Sequence, residues 1–198
     1  MSLKLMAEPW WVNVLVLVPP LAYVLWRRGG GVALAPQSLL TSGVFAAAFG
    51  FLEATVVVYL RAATGLLPGY QGTLTDVVRR SGEFYQQAQA IKQFPESLLT
   101  LEVLREAATI LMLLCVAFLA AAKTRPRAAV FLWTFAIWDI TYYAALWATV
   151  RWPRSVGDAD VLFLIPKPWI SAVWFPLLVS ALAILAVLFA RATPPKSG

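Results

Sequence analysis

Histidine is absent from the 198-residue sequence, and its absence removes several chemistries at once. Without imidazole there is no histidine-ligated haem, no carboxylate–histidine di-iron centre and no triad with an imidazole base. Cysteine occurs once, at Cys115 inside an apolar run, which excludes an intramolecular disulfide framework and a cysteine metal site. The chain carries no phosphate-cradling glycine loop, no dinucleotide fingerprint and no zinc-ligand spacing. A hydrolase built on it has to work with carboxylates, tyrosine or lysine, and the sequence names no cofactor. Charge is also scarce, at 13% of residues.

What is present is apolar, at 61% of residues, and it comes in long blocks rather than amphipathic stripes. That pattern predicts an all-α, polytopic membrane helix bundle, read as a single integral membrane domain over residues 1–198. A span needs roughly 20 apolar residues at about 1.5 Å each. Five stretches qualify, at about residues 10–26, 39–60, 98–122, 128–150 and 169–190. Pro20 and Pro176 are expected to kink the first and fifth. Ala33-Leu34-Ala35 resembles a signal-peptide cleavage site, but Arg27-Arg28 falls between it and the apolar run, which favours a retained helix.

The net charge of +6 is an orientation signal rather than a nucleic-acid patch. Arg27, Arg28, Lys123, Arg125, Arg127, Arg191 and Lys196 fall on one side with no acid among them, whereas the opposite segments mix both signs. Positive charge marks the cytoplasm, so the N-terminus is expected outside and the C-terminus inside. Two outer segments look like more than connectors. Residues 61–97 place Leu74, Val77, Val78, Tyr85, Ala88 and Ile91 at helical spacing, an amphipathic helix on the outer interface. Residues 155–168 hold the apolar run Val161 to Ile165, too short to span and suited to capping the bundle.

Four carboxylates lie inside the predicted spans: Glu53, Glu102, Glu106 and Asp139. Each costs on the order of 2.5–3.5 kcal/mol at the bilayer centre on insertion scales. Helical rise places Glu53 about 10 Å deep from the outer side, Glu106 about 12 Å and Asp139 about 16 Å. Glu102, Arg105 and Glu106 share one helix face, while Asp139, Tyr142 and Tyr143 share another. These seven residues form the candidate buried binding site, with Arg61, Arg151 and Asp160 at its rim and no metal expected. Arg–carboxylate and Tyr–Asp pairs also serve simply to hold helices together. Four acids against one intramembrane arginine leave an excess of negative charge that a proton or cation would neutralise.

Gly43 and Gly50, with Ala46, Ala47 and Ala48, give the second span a small-residue face for helix packing. Trp138, Trp147, Trp152, Trp169 and Trp174 read mostly as interface anchors or bundle core. The phrases Phe51-Leu-Glu-Ala-Thr-Val-Val-Val-Tyr-Leu-Arg61, Arg105-Glu-Ala-Ala-Thr-Ile110, Trp138-Asp-Ile-Thr-Tyr-Tyr143 and Asp160-Val-Leu-Phe-Leu-Ile-Pro-Lys-Pro-Trp169 resemble those of a group of small bacterial integral membrane proteins. The likeness runs from about residue 45 to residue 180 and implies a bacterial inner-membrane setting, without lending any catalytic residue.

Three functions fit these observations. One is a proton, cation or small-ligand site opening outward, in transport or sensing. Another is an accessory subunit of a larger membrane complex, and the third a membrane enzyme using a carboxylate acid/base on a lipid or isoprenoid. Membrane lipids are expected partners, with a homo-oligomer or other membrane subunits, and nucleic acid is not.

Overall fold

The computed structural model describes residues 6–63 and 96–192, with the side chains of residues 60–63 and 96–98 outside that description. The expected amphipathic helix at 61–97 therefore falls almost entirely outside the described residues.

A 3-10 segment, Trp10–Leu17, runs directly into α1, Val18–Arg28. Helix α2 is Pro36–Ala63, α3 Glu96–Ala120, α4 Thr124–Val150 and α5 Trp174–Ala190. The described chain is thus an all-α bundle. Four stretches, Trp10–Arg28, Pro36–Tyr59, Leu99–Ala120 and Thr124–Val150, are long and apolar enough to cross a membrane. At 17 residues, α5 is shorter but equally apolar. Large apolar side chains stand exposed along the helices, including Leu40, Phe51, Leu111, Leu119 and Phe189. A surface of this kind is compatible with lipid and unfavourable in water.

Prolines start helices here rather than bend them. Pro19 and Pro20 lie in the first turn of α1, and Pro176 is the third residue of α5. Backbone N–H groups in a first turn have no intrahelical partner, so proline loses nothing there. The expected kinks at Pro20 and Pro176 are corrected accordingly. At the first span, the irregularity is instead the change from 3-10 to α geometry at Val18.

The fifth span begins at Trp174, five residues later than expected, because Trp169–Ala172 forms a strand. That strand, β3, pairs antiparallel with β2, Ala159–Phe163. The apolar run at 161–165 is therefore largely strand, and it caps one end of the bundle. Glu8 and Ile170 exchange backbone hydrogen bonds of 2.8 and 2.7 Å, which fasten the start of the chain to the same hairpin.

The opposite end is closed by main chain and arginine. A two-residue parallel pairing joins Val32–Ala33 (β1) to Arg191–Ala192 (β4). Gly31, at φ +86°, lies so close that an added Cβ would sit 2.9 Å from the Ala190 carbonyl oxygen. Arg125 donates to Gly29 O at 2.8 Å, Arg127 to Ala121 O at 2.9 Å and Arg191 to Leu34 O at 3.2 Å. These side chains satisfy carbonyls that helix ends and turns leave open.

Helix α4 is the central element, packed against α2, α3 and α5. Its buried residues run its whole length, from Ala129 and Val130 through Trp138 and Asp139 to Leu146 and Val150. Helix α2 approaches α4 tightly at Gly50, whose missing Cβ leaves room for the Trp138 carbonyl. Small residues permit such contact in lipid, where apolar burial alone does not drive helices together.

Candidate functional site

Three helices contribute polar residues to one place. On α3, Glu102, Arg105, Glu106 and Thr109 recur at spacings of three and four, which places them on one face. On α4 the same spacing aligns Phe135, Trp138, Asp139, Tyr142 and Tyr143. Helix α2 adds Glu53, and the hairpin adds Asp160 and Phe163 from above. All of these residues line a single cavity of about 100 Å³.

Arg105 is the electrostatic centre. Its Nε and NH2 groups donate to the two oxygens of Glu102 at 3.0 and 2.6 Å, a bidentate pairing within one helix. Its NH1 group makes an ion pair with Glu53 across the α2–α3 boundary. The other Glu53 oxygen accepts from Thr109 Oγ1 at 3.2 Å. A planar guanidinium suits this fork geometry better than an ammonium would.

Glu106 and Asp139 accept hydrogen bonds from neutral donors. Glu106, 7% exposed, accepts the backbone N–H of Leu164 at 2.7 Å, which tethers the hairpin to α3. Asp139, also 7% exposed, accepts from Ser180 Oγ on α5 at 2.7 Å. Tyr143 donates to Asp160 at 2.7 Å, joining α4 to the hairpin. Among the described residues, the cavity thus collects the carboxylates of Glu53, Glu102, Glu106, Asp139 and Asp160 around the guanidinium of Arg105. Among the described residues, no group of three or more acids, cysteines or histidines is disposed to hold a metal ion.

No protein-family model, curated protein or solved structure matches this chain. The site is therefore read from its own geometry.

Glu53, Glu102, Arg105, Glu106, Asp139, Tyr142 and Tyr143 all face the cavity. The three rim residues fare differently. Asp160 lines the cavity and is 1% exposed, with its carboxylate turned inward to Tyr143 and to the Val161 N–H at 2.8 Å. Arg151 stands apart from the described cavity lining. It caps α4 in a left-handed conformation at φ 58° and lays its guanidinium over the Trp147 ring at 4.8 Å. The Arg61 side chain lies outside the described residues.

Several site residues escaped the sequence reading. Thr109 has a legible signal, three residues beyond Glu106 on the same face. Ser180 has one too, as the single hydroxyl side chain in the 17-residue α5. The Leu164 N–H and the rings of Phe135 and Phe163 carry none, because a backbone donor and an apolar aromatic look ordinary in any apolar segment.

Proposed function

We propose that this chain is a multi-pass protein of the bacterial inner membrane whose cavity binds a proton, a cation or a small ligand, in transport or sensing. One observation carries the reading: among the described residues, five carboxylates and the guanidinium of Arg105 line one cavity. Arg105 is already shared between Glu53 and Glu102. Glu106 and Asp139 accept from neutral donors, and a buried carboxylate held in this way is costly unless positive charge joins it. A bound proton or cation supplies that charge. The small number of spans argues for assembly with further copies or other membrane subunits.

The test is thermal unfolding of purified protein in detergent while Na+, K+ or H+ concentration is raised. A ligand at a hundredfold excess over its Kd stabilises by about 2.7 kcal/mol, or roughly 5–10 °C in a chain of this size. Glu53→Gln and Asp139→Asn are each expected to abolish that shift while leaving the protein inserted and monodisperse. No shift in the unmodified protein would defeat the reading.

A structural role has its own support, because Glu53, Glu106, Asp139 and Asp160 each bond across two elements. On that reading the same substitutions lower the melting temperature without ligand and leave any shift intact.

The proposed orientation puts Arg27, Arg28, Lys123, Arg125, Arg127 and Arg191 in the cytoplasm, and the hairpin and cavity mouth outside. A reporter active only in the periplasm and fused after Gly198 is expected to stay silent. Strong activity there would reverse the orientation.

A further inference from the structure

The end of the bundle away from the cavity carries charge of one sign. Arg27, Arg28, Lys123, Arg125, Arg127 and Arg191 lie there, and residues 18–47, 112–136 and 181–198 contain no acid to offset them. The fold gathers these basic residues from separate stretches of chain. Arg125, in the first turn of α4, donates to the carbonyl of Gly29, the residue after Arg28, at 2.8 Å. Arg191 donates to Leu34 O and stands in the β1–β4 pairing. A common apolar core beneath them, including Trp26, Val32, Leu39, Ala117, Val130 and Val187, joins all five helices at this end. Like charges held this way repel one another unless a counter-charge joins them.

The donors here are not used up by the protein. Arg27, Arg28 and Lys123 are exposed and make no side-chain bond among the described residues. Arg125 uses one terminal nitrogen on Gly29 and Arg191 its Nε on Leu34, whereas a guanidinium has five N–H donors in all. Helix α4 also begins here, with no side-chain cap and no acid in its first turn. Its leading N–H groups add partial positive charge and favour an anion. The surroundings say what kind of anion. Leu25, Leu119 and Phe189 stand exposed within four residues of Arg27, Lys123 and Arg191, so apolar side chains run up to the basic rim. A free phosphate has no use for that apolar border, and a phospholipid does.

We propose that this end of the bundle binds an anionic phospholipid, its phosphate held by Arg28, Lys123 and Arg125 at the start of α4, its acyl chains against the neighbouring exposed apolar side chains. Arginine suits a phosphate diester through paired N–H donors, and lysine adds charge. A zwitterionic lipid brings an ammonium group that the same residues repel. The site is separate from the cavity, and the identity of the cavity's ligand does not bear on it.

The experiment uses the full chain in neutral detergent micelles, titrated with phosphatidylglycerol or phosphatidylcholine carrying a fluorescent acyl chain. Binding is read as energy transfer from tryptophan, with affinity expressed per mole fraction of lipid in the micelle. Phosphatidylglycerol is expected to bind about tenfold or more tighter than phosphatidylcholine. A basic residue near a lipid surface is worth roughly fivefold in affinity. Arg28→Gln with Lys123→Gln is therefore expected to weaken phosphatidylglycerol binding at least about tenfold, leaving phosphatidylcholine binding and lipid-free thermal stability unchanged. Arg154→Gln with Lys167→Gln removes equal charge from exposed positions at the hairpin end and is expected to leave both affinities as they were. In the unmodified protein, raising salt to about 1 M shrinks the screening length to about 3 Å and is expected to erase most of the preference.

Equal affinity for the two lipids would overturn the proposal, as would a preference that survives at about 1 M salt. The same loss from both double variants would reduce the effect to net charge and overturn the site. Displacement of the lipid by an equal concentration of glycerol phosphate would overturn the lipid identity, leaving a site for a free anion.

Discussion

Replacing Arg105 by methionine is expected to lower the melting temperature in detergent by roughly 6–12 °C. Methionine keeps most of the side-chain volume, so the loss is electrostatic. It removes both guanidinium bonds from Glu102, and it strands Glu53, which keeps only the Thr109 hydroxyl among its side-chain contacts described above. Removing one partner of a buried ion pair costs about 3–5 kcal/mol, because the other charge stays behind uncompensated. Arg105 keeps 23% of its side chain exposed, so the lower end of that range applies, at about 2–4 °C per kcal/mol. The double variant Arg105→Met with Glu53→Gln is expected to recover part of the loss, since the stranded charge on α2 is gone. A fall of less than about 2 °C for the single variant, or no recovery in the double, would mean that Arg105 does not hold α2 to α3.

Gly50→Leu is expected to damage both the bundle and the cavity. A Cβ at Gly50 would collide with the Trp138 carbonyl oxygen and lie 3.1 Å from Thr141 Cβ. The first of these is backbone of the central helix, which has no rotamer with which to yield. Helix α2 must then move off α4, and overpacking of this kind costs about 1–3 kcal/mol, with leucine at the upper end or beyond. The displaced segment also carries Glu53, three residues on, and faces the turn that holds Trp138 and Asp139. Ligand binding is therefore expected to fall together with thermal stability. Gly43→Ala is the control on the same helix. Its Cβ would meet Ile137 Cδ1 and Trp133 Nε1, both at 3.2 Å, and both belong to side chains that can shift. Equal melting temperatures for Gly50→Leu and Gly43→Ala would show that α2 and α4 are not wedged together at Gly50.

The helices were legible in the sequence because lipid imposes one rule on every span, a long apolar run with satisfied backbone. Their ends were less so. The segment 169–172 is uncharged and runs into α5 through Val173, yet its backbone pairs with Ala159–Phe163 instead of continuing the helix. Hydropathy does not distinguish these outcomes, and the partner strand lies across a turn. Glu102, Arg105 and Glu106 were readable as one face because helical spacing alone dictates it. Asp160 misled for a related reason. It sits in a connecting segment where acids are usually solvated, and only the cross-element bond to Tyr143 reveals that it is turned inward. Arg151 looked able to reach the site by length alone, but the left-handed turn at the end of α4 points it toward Trp147.

The two ends of the bundle are fastened by different means, and this governs where it opens first. At the arginine end, main chain from the α1–α2 connection is paired to main chain following α5, and three guanidiniums seal neighbouring carbonyls. At the hairpin end, Glu106 and Tyr143 reach up to the cap through side-chain bonds, and Glu8 exchanges two backbone bonds with Ile170. Were the two side-chain bonds to yield first, the hairpin would lift with the far end as its fulcrum. A ligand of the proposed cavity would then come and go at the hairpin face.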